Sequence, residues 1–182
     1  MTSFRPRAAG FSLIELLVVI AMVAILSSLA APSFQRTMAQ RRVSETASDL
    51  MIALLQARNA AITNNEPAIV QPTSASDWSR GWRIYIDTDG DGAYTSGTDT
   101  LIANTSAKTA DLTTYERSLV RIGFDSTGYL LGRTPDGGAG KVVFASTVIP
   151  GSEYRKGVIV SRLGRVRICE TSRVKNECSS DD

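Results

Sequence analysis

From Phe11 to Ala31 the chain reads FSLIELLVVIAMVAILSSLAA, an apolar run interrupted by a single charged residue, Glu15. About 20 residues of helix rise roughly 30 Å, enough to cross the hydrocarbon core of a bilayer. A mid-bilayer carboxylate costs about 2.5–3.5 kcal/mol on insertion scales, so one that is present usually has a partner. Glu15 is therefore the residue that any account of this segment must explain.

Two readings leave it unexplained. In a secretory signal, Arg5 and Arg7 form the basic region, Leu16 to Leu26 the apolar region, and Ser28-Leu29-Ala30 a small-x-small site before Ala31. In a plain membrane anchor the same run simply spans the bilayer. Beyond it, Pro32 is expected to kink or locally weaken the helix. Val43, Ala47, Leu50, Leu54, Ala57 and Ala61 then recur at spacings of four and three, with Met51, Leu55 and Ile62 widening the stripe. The lower half is thus apolar all round, and the upper half offers one face to a folded domain. Asn64, Asn65 and Pro67 end the helix.

After Pro67 the texture changes to short β-type runs between Gly, Ser, Thr, Asn and Asp: PAIVQ, GWRIYID, TLIAN, SLVRIGF, KVVFAS, KGVIVSR and RVRIC. Antiparallel sheets packed on the helix, an α+β domain, follow. Trp82, Ile84 and Ile86 share one strand face and Arg83, Tyr85 and Asp87 the other; alternation does not decide which faces in. Segments 71–80, 87–98 and 132–140 read as loops.

The chain has no histidine and a net charge of only +2. That removes the commonest general base and metal ligand, together with HExxH and Ser-His-Asp chemistry. No nucleotide fingerprint or paired nucleophile and base appears, so an enzyme is not expected, nor is a cofactor. Cys169 and Cys178 stand without a second pair, which suits a disulfide outside the cytoplasm better than a zinc site.

The run Gly10-FSLIELLVVIAMVAILSSLAAP resembles the class III signal of type IV prepilins and pseudopilins. The resemblance implies cutting after Gly10 by a prepilin peptidase, methylation of Phe11, and retention of the apolar helix. It also implies that Glu15, fifth after the cut, meets the N-terminal amine of a neighbouring subunit, a pair tolerable in lipid when close and hydrogen-bonded. On that reading residues 1–10 are a leader, 11–38 a transmembrane and assembly helix, and 39–182 a periplasmic domain. The protein is then held in the inner membrane until it joins other major and minor pilins in a fibre. Further along, RVSETASDLMIALLQARNAAITNN with RGWRIYIDTDGDGAYTSGTDTLI is similar to the GspH/FimT pseudopilin family, which implies a type IV pilin-like fold.

Two surface features remain. The loop from Asp87 to Asp99 begins like a calcium loop, with Asp87, Asp89 and Asp91 at positions one, three and five and Gly92 at six; Thr98 stands where the bidentate glutamate belongs. A hairpin loop built on Asp-Gly turn chemistry is the competing reading. The second feature is basic: Arg155, Lys156, Arg162, Arg165, Arg167, Arg173 and Lys175 against one acid, Glu170. A β-hairpin there places Arg165 and Arg167 on one face and Val166 and Ile168 on the other.

Arginines on an edge can simply solvate it and deter strand pairing. Gly164-Arg165-Val166-Arg167, however, looks like the GRxR motif of FimT-like minor pilins that bind DNA in natural transformation. That implies DNA as a partner, held through its phosphates. The chain has only modest aromatic content, and Tyr154 is the only aromatic of the basic segment, so base stacking is not a strong expectation. A structural subunit of a pilus or a type II secretion pseudopilus, without DNA binding, is the alternative.

Overall fold

In a computed structural model, residues 11–74, 77–106, 110–117, 120–132, 140–148, 154–171 and 178 are described. Among the described residues one α-helix, α1 (Leu13–Asn64), is followed by nine strands, with a short 3-10 turn at Trp78–Arg80 before the second: β1 (Ala68–Pro72), β2 (Gly81–Ile86), β3 (Thr100–Ser106), β4 (Leu112–Arg117), β5 (Ile122–Phe124), β6 (Leu130–Leu131), β7 (Gly140–Ser146), β8 (Arg155–Val160) and β9 (Val166–Thr171). The chain forms two compact units, divided between Thr37 and Met38.

In the first unit Ser12 begins the helix, its hydroxyl accepting the Glu15 amide at 3.3 Å. The helix runs on through Pro32 without interruption. Pro32 supplies no N–H for the preceding turn, and on either side of it the Ser28 and Ser33 hydroxyls donate to the Ile25 and Ala30 carbonyls. The large apolar side chains from Phe11 to Phe34 are exposed.

The second unit holds the core. Val43, Ala47, Leu50, Leu54, Ala57 and Ala61 are all buried, joined by Ala53, while Leu55 and Ile62 point outward, so the stripe is narrower than expected. Small side chains alternate with leucine along it, which lets the strands approach the helix backbone closely. One sheet has the order β3-β2-β1-β5-β6 and the other β4-β7-β8-β9, and every strand pair within them is antiparallel.

Ala68, Val70, Trp82, Ile84, Ile122 and Phe124 of the first sheet join Val142, Phe144, Val158, Val160 and Val166 of the second in the same core as the helix stripe. The Trp82 and Ile84 face is therefore the inner one. Tyr85, on the outer face, is also fully buried, with Tyr94 from the following loop against its ring at 5.4 Å.

Side chains tie the layers together. Asp77 accepts from the Ser79 amide and from the Thr114 hydroxyl on β4, at 3.0 and 2.9 Å. Burial works to raise the Asp77 carboxyl, but the hydrogen bonds from Ser79 and Thr114 outweigh it and hold the group below the usual carboxylate range. Arg42 of the helix pairs with Asp111 at 2.6 Å, just before β4.

Candidate nucleic-acid interface

The basic hairpin is β8 and β9, in the register Val160↔Val166, Ile159↔Arg167 and Arg155↔Thr171. Its turn is Ser161 to Arg165, longer than the Leu163-Gly164 pair alone: the Gly164 amide donates to the Ser161 carbonyl and the Ser161 amide to the Arg165 carbonyl, both at 2.9 Å. This is a three-residue loop closed by a glycine in the left-handed region, with φ +73. A Cβ at Gly164 would stand 1.9 Å from the Gly128 carbonyl oxygen and 2.9 Å from Arg58 Nε. Gly164 thus shapes the turn.

Arg58 was not singled out by sequence reasoning, yet it clamps this turn. Its Nε donates to the Gly128 carbonyl at 3.0 Å and its Nη2 to the Leu163 carbonyl at 3.4 Å. The Leu130 amide of β6 donates to the Arg162 carbonyl, so the helix end and the first sheet both hold the tip. The β5–β6 turn is itself fixed by Asp125, which accepts from Thr127 and Tyr129.

Strand alternation sorts the basic residues. Val158, Val160 and Val166 face the core; Ile159, Arg167 and Cys169 face away from it, with Arg165 and Arg155 in the same phase. Cys169 is joined to Cys178, and both sulfurs pack in a small buried cluster with Val143 and Ile159. Arg165 is exposed and Arg167 half-buried. Arg155 lies over the Tyr115 ring, 3.5 Å from its centre. Lys156 occupies the opposite face, 3.9 Å from Glu170 and beside Tyr154, whose hydroxyl meets Ser44 of the helix. The structure therefore brings Arg155, Arg165 and Arg167 to one face, leaves Arg162 exposed at the tip, and separates Lys156 from them. Arg173 and Lys175 lie outside the described residues.

In the acidic loop, Asp87 accepts the Gly90 and Gly92 amides at 3.1 and 3.0 Å, and Asp99 the Thr88 and Thr95 amides at 3.1 and 2.6 Å. Carboxylate oxygens of Asp87, Asp89 and Asp99 lie within 4.8 Å of one another. Asp91 turns instead to the Ala93 amide at 2.6 Å, so Asp99 takes the place that spacing gave to Asp91. Burial pushes the Asp87 carboxyl above the usual range; the Gly92 and Gly90 amides oppose this, and Asp99 and Asp89 add repulsion. Burial also pushes the Tyr85 hydroxyl up to about 12, against the charge of Arg121.

At the other end of the chain, α1 contains a window of mean hydropathy 2.6, long and apolar enough to cross a membrane. Glu15 lies in its first turn, where the helix dipole favours a carboxylate. Gly10 lies outside the described residues.

Comparison with known proteins decides the family. The model of "Type II transport protein GspH" matches residues 46–164, most of the folded unit, and that of the "Prokaryotic N-terminal methylation motif" matches residues 5–31. The chain belongs to the GspH family.

This GspH-family chain matches two crystal structures of the type IV minor pilin FimU of Pseudomonas aeruginosa PAO1, with TM-scores of 0.51 and 0.52 at 18% identity. They cover 71% and 69% of this chain and 89% and 91% of FimU. The fold is that of a type IV pilin, as expected from the sequence. The type IV major pilin protein PilA of Myxococcus xanthus DK1622 is 40% identical over 50 residues, which are 28% of this chain and 23% of PilA. The chain thus spans under a quarter of PilA's length.

Proposed function

We propose that this chain is a non-enzymatic minor pilin of a type IV pilus that binds DNA through its phosphate backbone, for uptake in natural transformation. The observation that carries the reading is the placement of Arg155, Arg165 and Arg167 on one face of the second sheet, away from the core. Guanidinium groups match phosphate oxygens and stay charged at any physiological pH. The Arg58 clamp and the disulfide restrain the hairpin that carries Arg165 and Arg167, so little freedom is lost when they engage a phosphate. Arg162, Arg173 and Lys175 add charge nearby in sequence; Lys156, committed to Glu170, contributes least.

Processing after Gly10, methylation of Phe11, and pairing of Glu15 with a neighbouring subunit's amine deliver the protein to the fibre in this reading. The protein is held in the inner membrane with a periplasmic domain from residue 39 until other pilins take up its apolar helix.

The test is DNA binding by the full chain in neutral detergent, with a labelled duplex at about 50 mM salt, where phosphate contacts are strong. Arg165→Gln with Arg167→Gln should weaken binding about tenfold or more, since each phosphate contact contributes separately. Unchanged affinity in the folded variant would refute the reading. A second reading, a structural subunit of a type II secretion pseudopilus, is favoured by the description of the matching family as a type II transport protein. It predicts that loss of the protein impairs secretion and that the double variant restores it fully.

A further inference from the structure

The second sheet carries an aromatic that the basic segment itself does not contain. Tyr115 sits on β4, an edge strand, at the point where the register slips between Thr114 and Glu116. Such a bulge re-aims the side chain it carries, and Tyr115 remains 52% exposed. The Arg155 guanidinium lies 3.5 Å from the centre of its ring. Arg155 Nε is buried without a hydrogen-bond partner, and among the described residues no carboxylate forms an ion pair with Arg155. Among the described residues, the Tyr115 ring is the partner of this cation.

We infer that Tyr115 and Arg155 form a stacking station for an unpaired base, which makes the ligand of this face single-stranded DNA in preference to duplex. The inference rests on the DNA-binding reading and adds to it the class of nucleic acid. Planar guanidinium and phenol groups both stack on the π-face of any base, so the contact tolerates all sequences. A duplex keeps those faces stacked inside and offers only phosphates here. Arg155 precedes Ile159 by four residues on the same face, about 13 Å along the strand, and Ile159, the pairing partner of Arg167, is buried with the Cys169–Cys178 disulfide between them. A single strand that engages Arg165 and Arg167 through its phosphates and Tyr115 through a base therefore spans that cluster.

The experiment measures binding of the full chain in detergent to three labelled probes of equal length at one salt concentration: mixed-sequence single-stranded DNA, the same strand with abasic sites, and the duplex. The wild type should prefer the intact single strand over the abasic strand about tenfold. Tyr115→Ala should remove that preference and change duplex affinity less than twofold, and Tyr115→Phe, which keeps the ring, should restore it. Equal binding of intact and abasic strands by the wild type would overturn the proposal without any variant. So would a Tyr115→Ala loss shared equally by single strand and duplex. If Arg165→Gln with Arg167→Gln leaves every probe bound as before, the underlying DNA reading fails as well, and that outcome differs from the loss of base preference alone.

Discussion

Replacing Gly164 by alanine tests whether the hairpin tip is held as described. Alanine at φ +73 must adopt the left-handed region, which costs about 1–2 kcal/mol. Its Cβ would also stand 1.9 Å from the Gly128 carbonyl oxygen. An ordinary carbon-to-oxygen contact is about 3.3 Å, so the carbonyl must retreat by about 1.4 Å. That movement breaks the 3.0 Å bond from Arg58 Nε, a hydrogen bond to a charged donor worth about 1.5–3 kcal/mol.

The sum is about 2.5–5 kcal/mol, a large share of the about 5–15 kcal/mol that stabilises an ordinary domain. The residues from Met38 onward contain the whole buried core, so urea unfolding of that unit is a suitable assay. With a slope of about 2 kcal/mol per molar urea, the midpoint should fall by about 1.3–2.5 M. Arg58→Ala should have a smaller effect, and the double variant should be less destabilised than the sum, because Gly164→Ala already removes the Arg58 bond. A midpoint within about 0.3 M of wild type for Gly164→Ala would refute this account of the turn.

Three other outcomes follow from the same structure. Changing Cys169 and Cys178 to serine should cost about 2–3 kcal/mol by the chain-entropy argument, measurable as a lower urea midpoint that thiol reductant reproduces in the wild type. Tyr85, raised to about 12, keeps its proton in the folded state where the unfolded chain would lose it; its contribution is complete below pH 10 and lost between about 10 and 12. Tyr85→Phe should flatten the decline in that window and, by losing the 2.9 Å bond to the Gly92 carbonyl, cost about 1 kcal/mol at neutral pH in thermal unfolding. Glu15→Val should leave the chain in the membrane fraction but at least tenfold depleted from sheared fibres; equal recovery in fibres would contradict an assembly role.

Much of the fold was legible because its cause is local. The spacing of Val43, Ala47, Leu50, Leu54, Ala57 and Ala61 identifies the helix face, since only one side meets a core. Each of the seven expected strand segments overlaps an observed strand, although SLVRIGF contributes only Ile122–Phe124, and Gln71, Pro72 and Gly140, expected in loops, belong to β1 and β7. β4 escaped notice because Leu112–Arg117 reads LTTYER: an edge strand with a bulge keeps little of the alternation that marks a half-buried one. β6 is two residues long and exists through its pairing with β5.

The site was legible in part. Alternation put Arg165 and Arg167 on one face, and the same rule, applied to β8, separates Arg155 from its neighbour Lys156. Tyr115, Arg58 and Asp99 reach their places through contacts distant in sequence or through loop closure, which no short motif encodes.

The central claim is phosphate capture by one arginine face, and its most direct measurement is the salt dependence of DNA binding. Plots of log K against log salt should be linear. The slope for duplex should become shallower by about 1.8 when Arg165 and Arg167 are both changed to glutamine, about 0.9 for each phosphate that is no longer neutralised. Parallel lines for wild type and double variant would contradict the claim.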